Sequence, residues 1–251
     1  MRLRAASLPR APARDHSFPS DAAPRRSSQR AALRRRGLLI TFEGVEGSGK
    51  SLQLRRLGRL LRARRVPIVV TREPGGTPAG EAIRRIFLGP RGKGLDPWAE
   101  LFLVEAARAQ HLATVIRPAI LSGRHVLCDR FTDSTLAYQG YGRGLPLEVI
   151  RTLHALRGLA PAPDLTLIFD LPVGVGLARA RGRNAGSPAR RREGRLDAER
   201  AAFHETVRRG FLEIAAEDPR RTIVVPAQGV PEEIARLVRA AVLPRLGLEP
   251  E

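Results

Sequence analysis

Apolar residues along the chain collect into short unbroken runs, separated by longer stretches in which they recur at helical spacing. The runs are Leu38–Phe42, Pro67–Thr71, His125–Cys128, Leu165–Phe169 and Thr222–Val225. Continuous apolar runs of this length read as strands buried on both faces. Between them, apolar positions three and four apart predict helices over 51–65, 79–88, 97–122, 147–158, 172–182, 195–217 and 230–242. Strands alternating with helical crossovers predict an α/β fold with a parallel sheet covered on both faces, and ligands bound beyond the carboxyl ends of the strands. Glu43, Arg72, Asp129 and Asp170 close four of the runs and fall at that edge. The Arg-rich segment Gly182–Gly194, broken by Gly and Pro, reads as a mobile loop.

The first run leads directly into Gly44-Val45-Glu46-Gly47-Ser48-Gly49-Lys50-Ser51. Glycines let successive backbone N–H groups turn inward around a polyphosphate with no Cβ in the way. Lys50 brings a mobile positive charge to the β- and γ-phosphates, and the Ser51 hydroxyl is a ligand for Mg²⁺. With an apolar strand before it and Leu52, Leu54, Leu57, Leu60 and Leu61 at helical spacing behind it, the segment predicts a site for a nucleoside triphosphate.

Composition changes this picture little. The formal charge of +19 on 251 residues would ordinarily suggest nucleic acid. It is concentrated, however: residues 1–36 carry net +8 and Arg179–Arg195 net +6, leaving +5 elsewhere. Lys50 and Lys93 are the only lysines, so the arginine surplus reflects a GC-rich coding bias, and no nucleic-acid partner is expected. The single cysteine, Cys128, sits in an apolar run as a core residue, which excludes an internal disulfide. No apolar run approaches the ~18 residues of a membrane span, so a cytoplasmic location without membrane partners is expected. Residues 1–36, rich in Arg, Ala and Pro, are expected to be a disordered extension preceding a folded domain over 37–251. Their composition is like that of a mitochondrial transit peptide, but four prolines interrupt any amphipathic helix, and a misplaced start accounts for them equally well.

Two further segments follow strands. Thr71-Arg72-Glu73-Pro74-Gly75-Gly76-Thr77 precedes a helix with Arg84 and Arg85, and alone reads as ordinary turn chemistry. Asp129-Arg130-Phe131 is followed by Ser134, Thr135, Tyr138 and Gln139. Asp129, beside the phosphate loop, is a candidate partner for Mg²⁺, or else a cap for the next helix. Between them, Arg108 lies on a helix within Glu105-Ala106-Ala107-Arg108-Ala109-Gln110.

Taken in order, GVEGSGKS, TREPGGT, AARAQH, DRFTDSTLAYQGYGRG and GRLDAERAAFHETVRRGFL make the chain from Gly37 onward similar to the bacterial thymidylate kinase family. The resemblance implies a three-layer P-loop NTPase fold with a five-stranded parallel sheet and an Arg-rich lid near 179–195. It implies the reaction ATP + dTMP → ADP + dTDP with Mg²⁺, and a homodimer. Glu46 would receive the sugar 3′-hydroxyl, while Arg72, Arg84 and Arg130 would hold the acceptor phosphate and, for Arg130, the travelling phosphoryl group. Arg108 would bond the base opposite Ser134, Thr135 and Gln139, and Tyr138 would crowd the sugar C2′ and disfavour ribose. The family's stacking Phe is replaced by Val104, so either Val104 packs the base face without an aromatic or another ring reaches in. The acceptor is already ionised and needs no general base. With no basic residue at 45–48, a lid arginine would complete the charge around the transferring group. Arg183 and Arg195 are the favoured contacts, with Arg190, Arg191 and Arg192 as alternatives.

Other readings remain. The chain could be a small P-loop kinase for a different nucleotide or deoxynucleoside, which the Arg108 and Tyr138 pattern disfavours. It could be a P-loop switch, although it has an acceptor-pocket set rather than a water-positioning one. A basic nucleic-acid-binding module would instead retain DNA in a salt-sensitive way.

Overall fold

All five apolar runs form strands, displaced by at most one residue from their expected bounds: β1 Leu39–Glu43, β2 Ile68–Arg72, β3 His125–Asp129, β4 Leu165–Asp170 and β5 Thr222–Pro226. They pair in parallel in the order β2-β3-β1-β4-β5. The computed structural model describes residues 36–156, 161–185 and 194–249, all within one unit spanning Arg35–Glu251. The expected extension over 1–36, apart from Arg36, and Arg190, Arg191 and Arg192 of the expected lid lie outside the described residues.

The sheet is apolar on both faces because both are covered. Ile40 and Phe42 of β1 meet Leu54, Leu57 and Leu61 of α1 (Lys50–Ala63) and Val238 and Val242 of α8 (Pro231–Val242). Leu39, Val126 and Cys128 meet Leu112, Ile116 and Ala119 on the opposite face. Cys128 is fully buried, as expected of a core residue. A third cluster, including Leu101, Val104, Tyr138, Ile150, Val207 and Phe211, joins α3 (Pro97–His111), α5 (Leu147–Ala155) and α7 (Ala201–Glu217) beside the strand ends. Register brings Asp129 opposite both Phe42 and Arg72, so the loops after β1, β2 and β3 leave the sheet at one level.

The helices depart from expectation at four places. The helix predicted over 97–122 opens into a wide π turn at Leu112–Ile116 before closing again over Arg117–Leu121. Pro118 has no N–H to bond the turn below it, which relaxes the ladder there. The helix predicted over 195–217 is broken: a short turn at Leu196–Ala198 precedes α7, because Arg195 is tied sideways to the end of α2 (Pro78–Leu88). Helicity in α6 (Val173–Ala185) runs past the expected start of the 182–194 loop. One helical stretch is missing from the periodicity: Thr132–Thr135 continues as π turns through Leu136–Gly142, together α4. Its glycines obscure the pattern for a packing reason, since a Cβ on Gly142 would lie 2.7 Å from the Phe203 ring of α7. Among the described residues, no helix is long and apolar enough to cross a membrane.

Candidate active site

The loops above the strand ends enclose a cleft of ≈ 1270 Å³. At its centre is the turn between β1 and α1. Gly44, Gly47 and Gly49 have φ of 127°, 73° and 89°, all in the left-handed half of backbone space where side chains are strained. Space forbids a side chain at two of them: a Cβ on Gly44 would lie 2.4 Å from the Phe169 carbonyl oxygen, and one on Gly47 2.0 Å from that of Gly176 in α6. The approach is mutual, since a Cβ on Gly176 would lie 2.4 Å from the Glu46 carbonyl oxygen. Lys50 folds over the loop, its Nζ donating to the carbonyls of Gly44 (2.8 Å) and Val45 (2.7 Å) and to Ser48 Oγ (3.2 Å). Burial, and then the charge of Arg130, push the Lys50 ammonium down to about 7. Beside it the Ser51 hydroxyl donates to Asp129 Oδ2.

Glu46 joins this loop to the other half of the cleft. Its Oε1 accepts from Tyr138 OH (2.5 Å) and Arg130 Nη2 (2.9 Å), while Arg130 Nη1 donates to Ser134 Oγ (3.1 Å). The Arg130 guanidinium also lies 4.9 Å from the Tyr138 ring centroid. Burial opposes ionisation of Glu46, but Arg130, His204 and Lys50 outweigh it and hold the carboxyl well below the usual range. Behind it Glu43 is fully buried, accepting from Phe131 N (2.6 Å) and Ser134 Oγ (2.5 Å); burial and the neighbouring Asp133 raise it to about 7.

Arg108 enters from α3 and is almost fully buried. Its Nε donates to Glu73 Oε2 (2.8 Å), its Nη1 to Glu105 Oε1 (2.5 Å) and its Nη2 to Thr135 Oγ1 (2.9 Å). Burial works against its charge, but the two carboxylates overcome this and keep the guanidinium firmly protonated. Glu73 Oε1 in turn lies 2.9 Å from His111 Nδ1, and His111 Nε2 lies 2.7 Å from Thr71 Oγ1. Arg72 pairs with Glu81 (2.8 Å) and remains half-exposed at the cleft, and Arg84 Nη1 donates to the Pro74 carbonyl (3.1 Å). Gln139 lines the same wall with its amide nitrogen bonded to Glu100 Oε2 (3.2 Å). Val104 lines the cleft with Phe87, Leu88 and Leu196, whereas Phe102 points to solvent, as its angular offset on the helix requires.

The expected residues thus gather in one place, with two exceptions. Arg195 does not line the cleft. Its Nε donates to the Phe87 carbonyl (2.7 Å) and its Nη1 to Glu100 Oε1 (2.7 Å). Glu100 is 1 % exposed and needs cations beside it, and Arg195 and Arg143 supply them, so the structure turns Arg195 towards a buried carboxylate and not into the cleft. The Arg183 side chain lies outside the described residues; among the described arginines of the expected lid range, Arg179 lines the cleft. Sequence reading missed the carboxylates that hold the arginines: Glu73, Glu100 and Glu105. Glu105 stands three residues before Arg108 on one helical face, a signal that was available.

A phosphate loop at one end and a guanidinium-lined wall at the other let two phosphorylated ligands meet end to end, the layout of a P-loop nucleotide kinase. Comparison with known proteins narrows the class. Residues 42–238 match the family described as thymidylate kinase. The chain is 49% identical over 205 residues to thymidylate kinase of Desulfovibrio desulfuricans, covering 82% of this chain and 94% of the relative. It is 53% identical over 191 residues to that of Pseudomonas fluorescens, covering 76% and 88%. Among solved structures, thymidylate kinase from Ehrlichia chaffeensis superposes with a TM-score of 0.65 at 32% identity, covering 82% of this chain and 98% of that one. The chain belongs to the thymidylate kinase family.

Proposed function

We infer that the chain transfers the γ-phosphoryl group of ATP to dTMP: the bond from phosphorus to the ADP oxygen breaks and one to a dTMP phosphate oxygen forms. The observation that carries this reading is Glu46, which belongs to the phosphate loop yet is bonded to Arg130 and Tyr138 of the opposite half, so one short segment touches both ligands. Backbone N–H groups of 44–51 cradle the ATP phosphates, and Lys50 leaves the loop carbonyls to bond them. Arg72, Arg84 and Arg130 hold the acceptor phosphate, and Arg130 follows the transferring group. Arg108 and Thr135, with Ser134 and Gln139, read the base over the apolar floor at Val104. Tyr138 OH, drawn towards Glu46, turns its ring against the sugar edge where a ribose hydroxyl would stand. No side chain acts as general base, because the acceptor oxygen carries no proton that must be removed.

Ser51 and Asp129 bring a hydroxyl and a carboxylate oxygen together at the loop, hard donors that suit Mg²⁺ held jointly by protein and phosphates. When bound, Mg²⁺ neutralises charge on the β- and γ-phosphate oxygens. An arginine of 179–195 completes that neutralisation, with Arg179 and Arg183 as the candidates. A homodimer in the cytoplasm belongs to the same reading; it is supported by the paired exposed rings of Trp98 and Phe102 on α3, and light scattering tests it. The function itself is tested by ADP release across nucleoside monophosphates with ATP and Mg²⁺. dTMP should be far better than dCMP, dGMP or AMP, and dUMP should be weaker; a preference for AMP or CMP would favour a P-loop kinase of different acceptor.

A further inference from the structure

His204 of α7 is 1 % exposed, and neither ring nitrogen has a hydrogen-bond partner of proper geometry. Buried polar atoms in this condition call for a reason. Its Nδ1 lies 3.3 Å from Glu46 Oε2, which is likewise buried and without a hydrogen bond. The imidazole packs edge-on to the Phe203 ring at 5.5 Å, and Phe203 in turn contacts Tyr138. Glu46 Oε1 carries all the other contacts of that carboxylate, from Tyr138 and Arg130. The two oxygens are therefore divided between an outer set of donors at the cleft and a single inner neighbour.

We propose that His204 is a positioning residue for recognition of the acceptor sugar: its Nδ1–H holds Glu46 Oε2 from behind while Oε1 exchanges a protein donor for the 3′-hydroxyl. The inference rests on the reading that Glu46 takes that hydroxyl. A carboxylate oxygen accepts about two hydrogen bonds, and Oε1 already has two, so the hydroxyl enters by displacing Tyr138 OH or an Arg130 N–H. During that exchange an untethered carboxylate would rotate towards Arg130. A donor on Oε2 fixes its plane, and a ring wedged beside Phe203 at the base of the loop supplies one without entering the cleft.

The test compares dTMP with 3′-deoxy-dTMP on wild type, His204→Leu, His204→Asn and Glu46→Gln, by kcat and KM at saturating ATP. Loss of a hydrogen bond to a charged group predicts that His204→Leu lowers kcat/KM for dTMP by roughly ten-fold or more. The change with 3′-deoxy-dTMP should stay within about two-fold, because that substrate does not use the contact. His204→Asn, whose amide nitrogen stands near the position of Nδ1, should recover most of the loss. If His204→Leu slows both substrates equally, or neither, the proposal is overturned and His204 is packing alone. Glu46→Gln separates the two levels. If it too affects both substrates equally, the sugar-hydroxyl reading of Glu46 fails and takes the inference with it. If Glu46→Gln discriminates while His204→Leu does not, only the inference falls.

Discussion

Replacing Glu73 removes the counter-ion that lets Arg108 sit inside the protein. Arg108 is 2 % exposed and Glu73 3 %, and the carboxylate also receives His111. In Glu73→Ala the guanidinium keeps Glu105 but loses the acceptor at Nε, and His111 loses its partner at Nδ1. Breaking a buried pair from one side costs about 3–5 kcal/mol. Against a total stability of about 5–15 kcal/mol this is a large fraction, and at ~2–4 °C per kcal/mol it lowers the thermal midpoint by roughly 6–20 °C. Glu73→Gln keeps an acceptor of the same shape and should cost less, about 1–3 kcal/mol. Both variants loosen the Arg108 guanidinium, and if it reads the base as proposed, KM for dTMP should rise while KM for ATP holds. Adding Arg108→Met to Glu73→Ala should recover part of the lost stability, since the orphaned charge is then gone. Denaturant unfolding and the coupled assay measure the two effects. Were Glu73→Ala within about 0.5 kcal/mol of wild type, the network would not be holding the charge. Were both KM values to rise together, the damage would lie at the phosphate loop.

Arg195→Ala should lower the thermal midpoint by stripping one cation from buried Glu100, yet leave kcat within a few-fold; a loss of roughly 10²-fold in kcat would return Arg195 to the catalytic set. Arg179→Ala and Arg183→Ala form the comparison, and one of them should show that loss with little change in ATP affinity. Lys50, depressed to about 7, is mostly neutral in the free protein at pH 8 and becomes charged against triphosphate, so ATP binding should take up protons at pH 8 and hardly any at pH 6. Calorimetry in buffers of different ionisation enthalpy reads this directly, and an absence of buffer dependence at pH 8 would refute it. Deleting residues 1–35 should leave midpoint and turnover nearly unchanged, and a drop of several degrees would show that they contribute to folding.

The sheet was legible because its inner strands β1, β3 and β4 are buried on both faces, and even the edge strands β2 and β5 keep short apolar runs. Glu43, Arg72, Asp129 and Asp170 each fall at the last position of a strand. The loop 44–51 was legible because its glycines answer a backbone demand that few other residues meet. The helix over 132–142 was not: its register is set by tertiary contact with Phe203, Val207 and Leu147, which takes glycine where a lone helix would take alanine. The role of Arg195 was hidden for a similar reason. Nothing local distinguishes an arginine aimed at phosphate from one neutralising a carboxylate ninety-five residues away, and Glu100 is that carboxylate.

The contact of Gly47 with Gly176 is backbone on backbone, with no side chain from either partner between them. Side chains absorb displacement by changing rotamer; peptide groups in direct contact cannot. The start of α6 and the phosphate loop are therefore mechanically one piece, and a shift of either by a fraction of an ångström is felt at the other. Any hinge that lets the chain beyond α6 swing over the bound phosphates must have its axis C-terminal to Gly176, or it would wrench the loop itself.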